Sequence, residues 1–333
     1  MRISLDPWGG DYGSQMTAPE EVDGEATTAQ VIGSQVEEGP WKPRTPAPAI
    51  FPEVTTVIDG VMRVDAPAVV SDADKRYLAL FSSYAAGAVV VNDRVAIIEE
   101  RIDRLFVVGG GYTSPSIPVQ AGNGSKTPLV YRCVSSPASA PDELRRTLMT
   151  EMRQTEIDIA RSLSGPDKLV LADGNLTFLG DSSSVVGVIK TIQRLYLSPK
   201  DAMILVQLRP GERTPLFHFS GSSNRRSFEV YTCYLRLALP RVIEHAYAGL
   251  VRLEVKVGLG VPRAVELLDQ AAVKVFVLAS RAPKDPRAPQ NLVPVGGLER
   301  QLRHKLGDPK LVRRGIEREL LMRITQQEES WVE

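Results

Sequence analysis

Cysteine is almost absent from the chain: Cys133 and Cys233 lie far apart, and neither stands in a Cys-x-x-Cys or Cys/His spacing. That argues against a zinc site and for a reducing, cytoplasmic setting. Histidine is as scarce, with only His218, His245 and His304. No charge excess of either sign exists, because 40 basic residues meet 40 acidic ones. Composition therefore announces neither nucleic acid nor membrane as a partner, although a local basic patch suffices in a neutral protein. No apolar run approaches the length needed to span a bilayer, and no membrane partner is expected. The N-terminus lacks a basic region followed by an apolar one, so no signal peptide is expected. The run Gly109-Gly110-Gly111 lacks the lysine and the following helix of a phosphate loop, which excludes ATP hydrolysis by that device. What remains is ordinary globular material. At 333 residues and 43% apolar, the chain can bury a sizeable core as two average domains or one large α/β domain.

Composition divides the chain near residue 50. Residues 1–50 are rich in Asp, Glu, Gly, Pro, Ser and Thr and end in WKPRTPAPAIFP, which reads as an extended arm with a short strand near Arg2–Leu5. Trp8, Trp41 and Phe51 are the residues expected to pin it, to the protein's own surface first and to a partner as the alternative. Residues 51–333 form the globular part. VTTVIDGVMRVDAPAVV reads as strand, tight turn and strand, SSYAAGAVVVN as another strand with Gly87 easing close packing, and AIIEERIDRLFVVGG as one more strand or a short helix, a succession that suggests an antiparallel meander. A Gly/Ser/Pro-rich loop follows from Gly109. Pro141–Leu163 is the clearest helix: Ser136 or Ser139 is placed to cap it, acids fill its first turn, and Leu144, Leu148, Met152, Ile159 and Leu163 keep helical spacing until Gly165-Pro166. KLVLADGNL is a strand, SSSVVGVIKTIQRLYL a strand or a helix, and AMILVQLRP and SFEVYTCYLRLA two further strands. Helices are expected at AVELLDQAAVKVFVLASRA and, strongly basic, over 297–323. Strands first and helices later, with one helix between two Asp-Gly strands, predict a mixed α/β fold.

The two Asp-Gly pairs carry the chemistry. Asp59 and Asp173 each follow an apolar run and precede glycine, which lets the backbone turn away and leave an acid facing a cleft. The intervening helix carries Glu151 and Glu156. Strand aspartates with a helix glutamate are the hard oxygen donors that Mg²⁺ or Mn²⁺ prefers. Two such ions, about 3.5–4 Å apart, activate water and stabilise the leaving oxygen in phosphodiester hydrolysis. Either Asp-Gly alone reads more readily as a hairpin turn, and either glutamate alone as a solvated helix residue.

The chain resembles the NurA family of nucleases, DNA-end-processing enzymes that work with the HerA ATPase. The resemblance rests on VIDGVMRV, TEMRQTEIDIA followed by KLVLADGNL, SVVGVIKT, GVPRAVELLDQAAVKV and LERQLRHKLGD, in that order over residues 54–323. It implies an RNase H-like mixed sheet flanked by helices, a Mn²⁺- or Mg²⁺-dependent deoxyribonuclease acting as a 5′-to-3′ exonuclease and single-strand endonuclease in end resection, and a cytoplasmic, nucleoid-associated location. It also implies a homodimer and a hexameric HerA-like partner. By position, Asp59 and Asp173 match the family's aspartates, Glu156 its glutamate (with Glu151 the alternative), and Lys190 a lysine that contacts the scissile phosphate or supplements the metal's charge. For Lys190 a snorkelling surface lysine is the competing reading. Some members carry a catalytic Tyr and His before the last helix; here GVPRAVELLDQAA places Val261 and Asp269 there, Asp269 being the only one able to approach a metal, and none of the three histidines matches. The closing basic segment, with Arg303, Lys305, Arg313 and Arg314, and the pair Arg225-Arg226 are the candidate DNA contacts. A noncatalytic DNA- or motor-binding scaffold is the competing class, and a phosphoesterase acting on small nucleotides a third.

Overall fold

The structure is a computed structural model and describes residues 2–5, 28–33, 35–121, 127–165, 167–176, 180, 184–190, 192, 195–223, 226–281 and 288–329. Trp8 and Arg225 lie outside these residues. The strands are β1 (Arg2–Leu5), β2 (Thr28–Gly33), β3 (Val54–Asp72), β4 (Lys75–Val91), β5 (Val95–Val108), β6 (Ile117–Val119), β7 (Leu129–Ser135), β8 (Lys168–Asp173), β9 (Val185–Ile189), β10 (Phe217–Ser223), β11 (Arg226–Arg236) and β12 (Leu250–Lys256). The helices are α1 (Pro141–Leu163), α2 (Pro199–Ala202), α3 (Val261–Leu278), α4 (Val293–Lys305) and α5 (Pro309–Glu329).

All twelve strands belong to one mixed sheet, ordered β2-β10-β11-β12-β9-β8-β3-β4-β5-β7-β6, with β1 also paired to β3. The meander β3-β4-β5 is antiparallel as expected. β8 then lies parallel to β3 and β9 parallel to β8, while β12 closes on β9 antiparallel. Alternation along the central strands sends side chains to two helical layers. Val57, Val61, Leu169, Leu171, Val186 and Val188 pack on α3 and α4, through Leu267, Leu268, Leu298 and Leu302. Ile58, Val170 and Val185 face the opposite way, onto Ile157, Ile159 and Ala160 of α1. α5 covers a separate cluster at the far half of β3, around Ala66, Ala68 and Val70.

Several local expectations are corrected. β3 is a single strand of 19 residues with no turn at Asp59-Gly60, because β4 pairs with it throughout, Asp59 opposite Gly87 and Gly60 opposite Ala86. Pro199–Val206 is helical, not a strand: Ile204, Leu205 and Leu208 are buried while Met203 and Val206 are exposed, a helical rather than alternating pattern. The basic helix is two helices, broken at Gly307, whose φ of +79° suits a residue without Cβ. α1 has the expected bounds, but its N-cap is Ala140 and no side chain caps it. Gly87 is needed as expected: a Cβ there would sit 2.8 Å from the Glu99 carbonyl and 3.1–3.2 Å from Leu298 and Leu302. Before residue 51, β1 and β2 join the sheet, and Trp41 meets Phe217 edge-on while its indole N–H donates to the Asp201 carbonyl.

Candidate active site

Register brings the two aspartates side by side. β3 and β8 run parallel with Ile58 opposite Ala172, so the next residue on each strand is Asp59 and Asp173. Both point to the layer of α3 and α4, the side taken by Val57 and Leu171. β8 ends at Asp173 while β3 continues, and the sheet opens there on one side of Asp59. After Asp173 the chain turns at Gly174, whose φ is +80° and whose Cβ, if present, would lie 2.8 Å from the Arg153 guanidinium. The buried Glu254 carboxylate on β12 accepts the Leu176 N–H at 2.8 Å and fixes the far side of this turn.

The glutamate comes from the other layer. Gly60 points toward α1, and a Cβ at this position would be 2.5 Å from Glu156 Oε1 and 3.0 Å from Met152 Sδ. The absent side chain is the opening through which Glu156, 5% exposed, reaches the strand next to Asp59. Of the two candidate glutamates the structure therefore brings in Glu156; Glu151 is turned away onto Arg132 at 2.9 Å. Lys190 follows β9, and its Nζ lies 3.0 Å from Asp173 Oδ1 with only 18% of the side chain exposed, which is not the setting of a surface lysine. Arg153 approaches Glu156 Oε2 at 3.4 Å and donates to the Asp173 carbonyl.

Asp59 is the most constrained member. It is 5% exposed, and its Oδ2 is buried without a hydrogen-bond partner. Burial pushes its carboxyl well above the usual carboxylate range; Lys190 opposes that rise, and Asp173, Glu156 and Glu299 add to it. Glu299, on α4, is the acid that sequence reasoning missed: it is buried, meets Arg303 at 3.4 Å, and its spacing reads only as one charge in a basic helix.

Asp59, Asp173, Arg153, Lys190 and Glu299 border a cavity of about 900 Å³, while Glu156 lies behind Gly60 and does not line it. The lining includes the charged Asp59, Asp173, Lys190, Glu299 and Arg303 and the apolar Met62, Met149, Met152, Ile192 and Leu195. His245 and Tyr247 also line it, although His245 matches no histidine of the family; no motif marks the loop before β12 as part of the site. Asp269 does not reach the cavity, because Arg213 and the Ala47 N–H hold its carboxylate. Lys305 pairs with Glu100 at 3.4 Å and Arg313 with Glu317 at 2.9 Å. Neither they nor Arg314 line the cavity.

The donor set fits a hard divalent cation: carboxylate oxygens from three elements, one of them buried and unpartnered. Among the described residues no three Asp, Glu, His or Cys side chains form a ready-made ligand group. Lys190 and Arg153 instead occupy Asp173 and Glu156.

The family model for the NurA domain matches residues 75–295 of the chain. The matched span contains Glu156, Asp173, Lys190, His245 and Tyr247 and begins after Asp59. No curated protein matches the chain.

Proposed function

The chain belongs to the NurA family of nucleases, and we propose that it is a divalent-metal-dependent DNA nuclease whose centre is Asp59, Asp173 and Glu156. One observation carries the assignment: the buried, unpartnered Oδ2 of Asp59, set among Asp173, Glu156 and Glu299. A carboxylate so placed is costly unless a cation offsets it. Asp59, Asp173 and Glu156 would hold Mn²⁺ or Mg²⁺, which when bound supplies water activation and charge neutralisation at the phosphate. Lys190 pairs with Asp173 at 3.0 Å, and its ammonium would give a phosphate oxygen held at this site a cationic contact. Arg153 keeps Glu156 and the Gly174 turn in place. Arg303 stands at the cavity as a second phosphate contact.

The order β5-β4-β3-β8-β9, antiparallel and then parallel, supports reading the core as RNase H-like. Further parts of the proposal follow the family: 5′-to-3′ exonuclease and single-strand endonuclease activity in end resection, a homodimer, and a HerA-type hexameric ATPase as the motor this chain lacks. No described helix is long and apolar enough to cross a membrane, and the proposed site of action is the cytoplasm. His245 lines the cavity and offers it an imidazole, which favours the catalytic reading over a noncatalytic scaffold.

The test uses labelled DNA with Mn²⁺, Mg²⁺ or chelator. Cleavage is expected with metal only, and Asp59→Asn or Asp173→Asn should lower it by at least about 10²-fold, the scale of losing a preorganised charge, with circular dichroism unchanged. Metal-independent cleavage, or full activity in both variants, would overturn the assignment.

A further inference from the structure

Three of the chain's seven methionines, Met62, Met149 and Met152, line the one cavity that also holds Asp59 and Asp173. Met149 and Met152 are one turn apart on α1, and Met62 of β3 packs against the cluster that contains Met152. Ile192, Leu195 and Leu250 add apolar lining, and Tyr247, 36% exposed, stands with them. A metal-dependent phosphodiester site needs acids and cations; it has no use for a flexible apolar wall beside them. Something attached to the phosphate must meet that wall.

We propose that the methionine wall is a seat for one unpaired nucleobase, which positions the adjoining phosphate over Asp59 and Asp173; this rests on the nuclease assignment. Four features favour a base. The cavity volume of about 900 Å³ is that of a small-molecule pocket, which takes an unpaired nucleotide and not a stacked duplex. Lys190 and Arg303 lie on the acidic side, where a phosphate backbone would run. The thioether is polarisable and makes favourable contacts with aromatic rings, and its rotatable chain adjusts to rings of different size. The three methionine side chains carry no strong donor or acceptor and meet a base through its face, which every base offers, although Tyr247, Gln290 and Asn291 line the same cavity. A seat built this way accepts A, C, G and T alike and demands only that the base be out of its pair.

The full-length protein with Mn²⁺ and a single-stranded oligonucleotide tests this. One abasic analogue is walked along the strand, and cleavage at each bond is quantified. At one fixed offset from the cut, base removal is expected to lower kcat/KM about tenfold, whichever of the four bases was removed. In Met62→Gln/Met149→Gln the ratio of base-bearing to abasic kcat/KM should fall to near one, while Met149→Leu retains it. Cleavage indifferent to the abasic position, or a ratio unchanged in the double variant, would overturn the seat and leave the nuclease assignment standing. No metal-dependent cleavage of any oligonucleotide would overturn both.

Discussion

Asp59 shows how a single residue can be a cost to the fold. Its carboxyl is held above its ordinary value of 3.8 by burial first and by neighbouring acids next. The folded state therefore binds its proton more tightly than the unfolded state does. Stability falls as pH rises through the unfolded value of 3.8, and the loss is complete above the raised folded value. Asp59→Asn should thus be more stable than wild type in chelator at neutral pH, by about 1–3 kcal/mol, the scale of an unsatisfied buried polar group. The gap should close as pH is lowered through the carboxylate range, read by denaturant unfolding at several pH values. A gap independent of pH would mean Lys190 fully compensates the charge. Gly60 makes a second residue-level prediction. Gly60→Ala drives a Cβ against Glu156 Oε1 and Met152, costing about 1–3 kcal/mol by overpacking and displacing the glutamate, so nuclease activity should drop with it. Asp59 and Asp173 stood out as acids before glycine at the end of apolar runs, whereas Lys190 and the choice of Glu156 over Glu151 came from the family resemblance. Glu299, His245 and Tyr247 were not readable, because nothing in a basic helix or an irregular loop tells which side chain will face a cleft formed by distant strands.

At the scale of elements, α1 was legible almost to the residue: its apolar spacing, first-turn acids and Gly-Pro stop all agree. β3 was not, since Asp-Gly inside a strand looks like a turn. Only the unbroken pairing with β4 and the early end of β8 make it a strand with an acid in it. Glycine also has opposite meanings in different elements. Gly296 lies inside α4, where an added Cβ meets nothing within 4 Å. Gly296→Ala should therefore stabilise the protein by about 0.5–1 kcal/mol through helix propensity, against the loss expected at Gly60, both read by the same unfolding curve. The segment before β3 is tied down by an ion cluster. Arg213, 1% exposed, donates to Glu37 at 2.8 and 3.1 Å and to Asp269 on α3. Asp269→Ala leaves that guanidinium partly unpaired and should cost about 3–5 kcal/mol. Metal affinity of the folded fraction, followed by calorimetry, should not change, since Asp269 is held away from the cavity.

For the whole molecule, balanced charge makes DNA affinity a question of where unneutralised cations sit. Many do not qualify: Lys305, Arg313 and Arg323 each face a nearby carboxylate. Arg303 differs because its side chain is 65% exposed and it lines the cavity, although Glu299 lies 3.4 Å away. α5 rests on the far half of β3, against Ala68 and Val70, while Asp59 lies on the near half. DNA that enters only the cavity would touch Arg303 and miss α5; DNA laid along β3 would touch both. Counterion release separates the two paths, since each lost phosphate contact lowers the slope of log affinity against log salt by about 0.7 on single strands. Arg303→Ala should lower that slope by about one contact in either case. Arg313→Ala/Arg314→Ala should leave it unchanged on the short path and lower it by about two contacts on the long one. Titrating a labelled single strand at several salt concentrations in chelator reads the slope without cleavage. An unchanged slope in Arg303→Ala would place the phosphate contacts away from the cavity and separate DNA binding from the acidic centre.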